Sequence, residues 1–465
     1  MFRLLLNRRE WLRVGLGGLG VAGPSVSRTL GFEPRPAAGF GRARSVILVY
    51  ASGGQSQLDI WDPKPNAPLD VRGEFSPIAT PLAGVQLCEH LPRVARLADR
   101  YTLIRSMAHE DLDHGSATYL ALTGRYHARR SSNPAPSPTD FPSYGAVLTK
   151  VRRSQRFLYE SVHINAPALV PTKIAPGQDA GFLGHECEPL VLGDVSRGPI
   201  AVPGLATDDP VPPLRLSARH SLKRALDQYH RKLASSAAAG KTSMLYQQAL
   251  KMLSASRFRT AFDVSSEPLR LRNRYGRHRS GQACLLARRL VEAGVPLITV
   301  IWNHSNRGQD FAPQSTEEYG WDTHNDIFSA LKLHLLPRFD QSFSALLEDL
   351  DERGLLDDTL VVCMGEFGRA PRVAREESFA GSSPGRKHWA AVYSIVVAGA
   401  GVNRGAVLGA SDRLGAEPAT ERYGPWDMAA TMFSALGIDP TTHFQDSLQR
   451  PFQLTVGQPI EAIYT

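Results

Sequence analysis

Thr359-Leu-Val-Val-Cys-Met-Gly-Glu-Phe-Gly-Arg369 is the stretch that decides the fold. Its first six residues, apolar or β-branched and closed by glycine, predict a strand buried on both faces, the pattern of a parallel sheet covered by helices. Glu366 then stands between Gly365 and Gly368, where backbone without side chains comes close to a bound group at a strand end. Glu366 reads there as a ligand or base, and equally as an exposed acid in a turn.

Working outward, the same alternation repeats. Upstream, a helical pattern across about 326–352 follows an apolar run at 295–302, which itself follows a helix pattern at 281–294 ending in Gly294. Downstream, a run at 393–398 precedes a helix at about 425–436. Near the start, Ser45-Val-Ile-Leu-Val-Tyr-Ala51 runs into Ser52-Gly53-Gly54, a strand feeding a tight loop. Strands alternating with helices predict an α/β fold of three layers, a mostly parallel central sheet with helices on both faces. Residues 125–215 are rich in Pro, Ser, Gly and Arg, and helical patterns follow at 217–238 and 243–264. The expected organisation is a leader over 1–44 and a single domain over 45–465, with an irregular insertion at about 125–280.

Composition narrows the function. With 465 residues, 42% hydrophobic and 21% charged, the chain can bury a large core. Residues 1–44 hold eight arginines and two glutamates, so they carry six of the eight net positive charges and leave two for residues 45–465. The folded part is nearly neutral, which argues against nucleic-acid binding. The four cysteines show no C-x-x-C spacing, so neither a zinc knuckle nor a dithiol motif is expected. One or two disulfides after export are open, although Cys284 and Cys363 lie in apolar runs and read as buried hydrophobes.

Asn7-Arg8-Arg9-Glu10-Trp11-Leu12-Arg13, followed by a glycine-rich and mildly apolar stretch to Gly23, resembles a twin-arginine signal. An apolar run of that length is too short for a membrane span, which needs about 20 residues. Export to the periplasm or the outside, with no transmembrane anchor, is the expectation.

Four further clusters bear chemistry. Asp322-Thr323-His324 places a carboxylate and an imidazole on one side of an extended segment, as two ligands of one ion require, although Asp322 also suits a helix cap. Gly385-Arg386-Lys387-His388-Trp389 joins an imidazole to two cations fit for an anionic ester, or forms a basic surface loop. In Gln57-Leu58-Asp59-Ile60-Trp61-Asp62-Pro63, Asp62 suits a turn and Asp59 faces the strand-end cleft. Asp111-Leu112-Asp113-His114-Gly115-Ser116 opens a helix that runs to Gly124, and its N-terminal end is a natural anion site.

Together the leader, G-G-Q-S-Q-L-D-x-W-D-P-K-P, H-G-S-A-T-Y-L-A-L-T-G-R, G-W-D-T-H, V-V-x-M-G-E-F-G-R-x-P, G-R-K-H-W and the closing L-G-I-D-P resemble the domain of unknown function 1501 family, over nearly the whole chain. That family is similar to the alkaline-phosphatase and sulfatase superfamily, whose members hold two metals at strand ends and hydrolyse phosphate or sulfate esters.

By position, the resemblance makes Asp322, His324 and His388 ligands of a first metal and puts Glu366 where the superfamily has a second-site Asp. Phe367 replaces that site's histidine, and His114 occupies the place of the usual Ser, Thr or Cys nucleophile. His114 is then a replacement ligand, a nucleophile, or the mark of a protein that binds without cleaving. The resemblance implies a divalent metal (zinc, calcium or manganese) held by Asp59, His114, Asp322, His324, Glu366 and His388. Arg386, Lys387 and Arg369 would bind the substrate, an anionic ester such as a sulfated or phosphorylated glycan. The opposed expectation is a noncatalytic exported protein that binds metal or carbohydrate.

Overall fold

In the computed structural model, residues 37–152, 159–170, 173–198, 200, 202, 260–302 and 320–465 are described. The twin-arginine segment and the helical patterns at 217–238 and, up to residue 259, at 243–264 lie outside the described residues.

Eight strands form the central sheet: β1 Ser45–Tyr50, β2 Thr102–Met107, β3 Ser161–Ile164, β4 Leu190–Leu192, β5 Leu297–Ile301, β6 Thr359–Met364, β7 Tyr393–Ala398 and β8 Ala406–Leu408. Their order is β8-β2-β7-β6-β1-β5-β3-β4. β7 runs antiparallel to both of its neighbours, and all other pairings are parallel. β1 lies at the centre, with Ser45 to Tyr50 in register with Thr359 to Met364 on one side and Val46 to Tyr50 with Leu297 to Ile301 on the other. Every residue of β1 and β6 is buried, as their unbroken apolar runs require.

Alternation along β1 divides the core into two layers. Ile47 and Val49 pack with Leu285 and Leu286 of the helix Arg279–Ala293 and with Phe343 and Leu346 of the helix Leu336–Glu352. Val46, Leu48 and Tyr50 point the other way, toward Leu122 of α1 (His114–Thr123), Val147 of α2 (Tyr144–Val151) and Met428 and Phe433 of the helix Pro425–Ala435. In chain order the remaining three helices are α3 (Arg279–Ala293), α4 (Leu336–Glu352) and α5 (Pro425–Ala435). This is the three-layer α/β architecture expected. Residues 37–465 form one compact unit.

Two departures have local causes. The stretch read as an irregular insertion, 125–280, supplies α2 and the last two strands on one side of the sheet, β3 and β4, whose runs of three or four residues are too short to stand out among prolines and glycines. The helix read across 326–352 begins as Ile327–Ala330, widens over Leu331–Leu335 and restarts as α4. Pro337 lies at that restart, where a residue without an N–H is tolerated. All four cysteines are buried and free.

The parallel strands β1 and β6 end side by side, and the chain leaves both through glycines. Gly53 has φ +112°, and a Cβ on it would lie 2.4 Å from the backbone nitrogen of Asp322. Only glycine lets the two segments approach so closely. Between β6 and β7 the chain makes an excursion whose strands Gly368–Arg369 and His388–Trp389 pair antiparallel. That excursion carries Glu366, Arg369, Arg386, Lys387 and His388 to the strand ends.

Candidate metal centre

Four side chains from three separate parts of the chain converge at those strand ends. One ligand atom from each of His114, Asp322, His324 and His388 lies within 4.8 Å of the other three. Asp322 Oδ1 is 3.1 Å from His114 Nε2, 3.0 Å from His324 Nε2 and 3.3 Å from His388 Nε2. The two nitrogens His324 Nε2 and His388 Nε2 are 2.8 Å apart. Ligand atoms around a tetrahedral ion bound at ~2.0–2.1 Å are separated by roughly 3.3 Å, so these four atoms are spaced as one ion's ligands would be.

The far nitrogen of each ring fixes its tautomer. His388 Nδ1 is 2.7 Å from the carbonyl oxygen of Leu112, which only accepts, so this nitrogen carries the proton. His324 Nδ1 donates to Glu376 Oε2 at 2.5 Å, and His114 Nδ1 donates to Glu366 Oε1 at 2.6 Å. With each Nδ1 protonated, the neutral rings aim three Nε2 lone pairs at one another and at a carboxylate oxygen. Such an arrangement is repulsive unless a cation sits among the donors. A carboxylate or carbonyl behind every imidazole is also the usual support of metal-binding histidines.

In the bare cluster a proton answers part of this repulsion. Burial opposes charging of His114, but the charges and hydrogen bonds of Asp322 and Glu366 together outweigh it and raise the imidazole to about 9. Burial and the charge on His114 lower His388 to about 4. Against its own burial, Asp322 is held well below the usual carboxylate range by His114 and Arg369.

Glu366 stands behind the cluster and was expected within it. It is fully buried and accepts from Gly53 N at 2.8 Å, His114 Nδ1 at 2.6 Å and the Tyr50 hydroxyl at 2.9 Å. Its charge is met by these donors, and its place is that of a support for His114. Asp59, also expected as a ligand, lies outside the cluster. Its carboxylate receives Arg386 Nε at 2.7 Å, Arg386 Nη2 at 3.0 Å and the Ser56 hydroxyl at 2.6 Å. Arg386 spends its remaining donors on the carbonyls of Val71, Ala370 and Pro371, and both partners are fully buried. Arg386 is therefore a structural clamp, unable to reach a substrate.

Arg369 is buried as well. It donates to Asp322 Oδ1 at 2.8 Å and to the carbonyls of Gly53, Gly54 and Arg386, so it holds Asp322 in place. Of the three cations expected to bind substrate, only Lys387 meets solvent, with its side chain 64% exposed and paired to Glu376 Oε1 at 2.6 Å.

Sequence reasoning missed Glu376, which has no motif around it. Asn325 positions it by accepting from its N–H at 2.9 Å and donating to its carbonyl at 2.8 Å. His109 is buried with Nε2 2.6 Å from the Glu366 carbonyl. α1 begins at His114, whose ring lies beside that of Phe367 with centroids 4.9 Å apart. Neither nearby hydroxyl is free. Ser116 donates to Asp111 Oδ1 at 2.7 Å, and Thr118 bonds the Tyr50 hydroxyl at 2.8 Å.

An eight-stranded sheet with one reversed strand, helices on both faces and a histidine–aspartate cluster beyond its strand ends define a three-layer α/β protein with a candidate metal site. Residues 43–464 match the family described as protein of unknown function (DUF1501), and the chain belongs to it. No curated protein matches the sequence. Among solved structures, the chain is similar to a sulfatase from Pseudoalteromonas sp., with 15% identity over 87% of this chain and 68% of that one and a TM-score of 0.37. It is similar to a phosphonate monoester hydrolase from Silicibacter pomeroyi, with 10% identity over 91% and 76% and a TM-score of 0.39. A TAB5 alkaline phosphatase mutant with magnesium bound shows 12% identity over 80% and 95% and a TM-score of 0.32. At these identities and scores the likeness says nothing of chemistry.

Proposed function

We propose that the protein is an exported, metal-dependent hydrolase of phosphate or sulfate esters, with a sulfated or phosphorylated glycan as the substrate class. The observation that supports this reading most is the convergence of three Nε2 lone pairs and one carboxylate oxygen, each imidazole backed by an acceptor. Three nitrogens and one oxygen suit zinc or manganese better than calcium, which favours oxygen ligands. When bound, such an ion supplies Lewis-acid polarisation of an ester oxygen.

The chain's own residues do the rest. His114, His324, His388 and Asp322 hold the ion, Glu366 and Glu376 fix two of the rings, and Arg369 aims Asp322. His114 acts as a ligand, since its Nε2 faces the cluster and its Nδ1 proton is committed to Glu366. Water is then the attacking group, because Ser116 and Thr118 are engaged elsewhere. Lys387 draws the anionic group toward the cluster. Among the described residues no helix is long and apolar enough to cross a membrane, and the twin-arginine motif at Arg8-Arg9 supports action after export.

The test is elemental analysis of the purified full chain, together with a panel of aryl phosphate and sulfate esters. About one zinc or manganese per chain, lost in His324→Ala and His388→Ala, with turnover of at least one ester class, is expected. A metal-free protein refutes the reading. A metal-loaded protein inert toward every ester replaces it with a noncatalytic binding protein.

A further inference from the structure

Two apolar residues that touch the cluster's imidazoles, Leu112 through its carbonyl and Phe379 through its ring, have exposed side chains. The cluster's solvent-facing members are Asp322 and His388, whose side chains are 15% and 18% exposed. His388 is tied to the Leu112 carbonyl at 2.7 Å, and on its other side its ring lies 4.5 Å from that of His324. His324 in turn stacks flat on Phe379, with centroids 3.8 Å apart and planes at 3°. The Leu112 backbone and the Phe379 ring thus stand at the two ends of a row that runs through both imidazoles. Leu112 is 48% exposed and Phe379 37%. Apolar side chains of this size gain by being covered.

Phe379 is also held in place. Asn325 Nδ2 donates to the carbonyls of Glu376, Phe379 and Ala380, and Asp326 accepts from the N–H groups of Ser382 and Ser383. The loop is clasped at both ends, so the ring is presented as a fixed surface. Lys387, bound to Glu376 of the same loop, adds a cation beside it.

We infer that Phe379 and Leu112 are specificity residues that meet the substrate at either end of this row, the C–H face of its pyranose lying on the Phe379 ring while its ester reaches the cluster. This rests on the metal-centre reading and adds what that reading leaves open, namely which part of the substrate selects it. A fixed apolar surface next to a cation fits an anionic pyranoside, which has one apolar face and a charged substituent. An inorganic anion gains nothing from it.

Calorimetric titration of the zinc-loaded full chain with galactose 6-sulfate, phenyl sulfate and inorganic sulfate tests the inference, with elemental analysis of each sample. The sugar ester is expected to bind roughly tenfold more tightly than inorganic sulfate. Phe379→Ala should weaken the sugar ester by roughly three- to tenfold, the range of a ring-stacking contact, and leave inorganic sulfate unchanged. Leu112→Ser should weaken it in the same direction with full metal content, which covers the case in which Phe379→Ala disturbs His324. Phe379→Trp should retain the affinity. Equal binding of sugar ester and inorganic sulfate, or unchanged sugar affinity in metal-loaded Phe379→Ala and Leu112→Ser, overturns the inference. So does a dependence on Phe379 seen with phenyl sulfate alone. In those cases the metal-centre reading stands, whereas a wild-type protein without metal removes both.

Discussion

Glu366→Gln separates a ligand from the support of a ligand. In the wild type, Oε1 accepts from Gly53 N and His114 Nδ1, and Oε2 accepts from Tyr50. A glutamine amide fits this site without breaking it. Its oxygen takes the place of Oε1, and its NH2 donates to the Tyr50 oxygen, whose proton turns to Thr118 Oγ1, already 2.8 Å away. The geometry stays while the charge goes. His114 loses a charge-assisted bond and part of its basicity toward an ion. Supports of this kind are worth roughly 10–100-fold in metal affinity, or about 1.4–2.7 kcal/mol. Folding stability should fall by ~1–2 kcal/mol as bonds to a charged acceptor become neutral ones.

The assay is competition for zinc against a chromophoric chelator at fixed pH, with thermal melts of the same samples and His114→Ala alongside. The expected order is wild type, then Glu366→Gln weaker by one to two decades, then His114→Ala weaker still. If Glu366→Gln binds zinc as tightly as the wild type, the support argument is wrong. If it loses metal as completely as His114→Ala while remaining folded, Glu366 is itself a ligand.

Four further outcomes follow from the same geometry, and a fifth from the leader sequence. In the metal-free protein, His114, raised to about 9, contributes stability below the unfolded value of ~6.5 that is lost as pH rises through about 9. His388, lowered to about 4, contributes stability above ~6.5 that is lost as pH falls through about 4, so the melting temperature of the metal-free protein should peak near pH 6.5. Because zinc displaces the His114 proton, apparent affinity measured by chelator competition should fall about tenfold per pH unit below about 9. Asp59→Asn leaves the Arg386 guanidinium buried without its counter-charge and should cost ~3–5 kcal/mol in denaturant melts, whereas Asp59→Leu combined with Arg386→Met should recover most of it. Gly53→Ala, whose Cβ would lie 2.4 Å from Asp322 N, should displace Asp322 and abolish stoichiometric zinc in elemental analysis. Replacing Arg8 and Arg9 with Lys should hold the precursor in the cytoplasm in a fractionation assay, and unchanged export would remove the twin-arginine assignment.

The layered sheet was legible because its central strands are apolar on both faces. Thr359–Met364 and Ser45–Tyr50 pack on each other residue for residue, and nothing in their sequence competes with that reading. The short strands Ser161–Ile164 and Leu190–Leu192, the last two toward one edge, were not, since each runs only three or four residues and its flanks look like loop. At the site, the two-residue spacing of Asp322 and His324 was readable because an extended backbone sends both side chains the same way. The carboxylates were harder. Glu366 sits between two glycines and Asp59 shortly after a pair of them, as a metal ligand would, yet each has its charge met by protein donors. The donor that decides the matter for Asp59 is Arg386, 327 positions away, and for Glu366 it is His114, 252 positions away. A motif reports where a charge is and not what answers it, so an acid awaiting an ion and an acid already satisfied read alike along the chain. Only the pairing of distant elements separates them, and here it leaves Asp322 as the one acid facing three imidazoles.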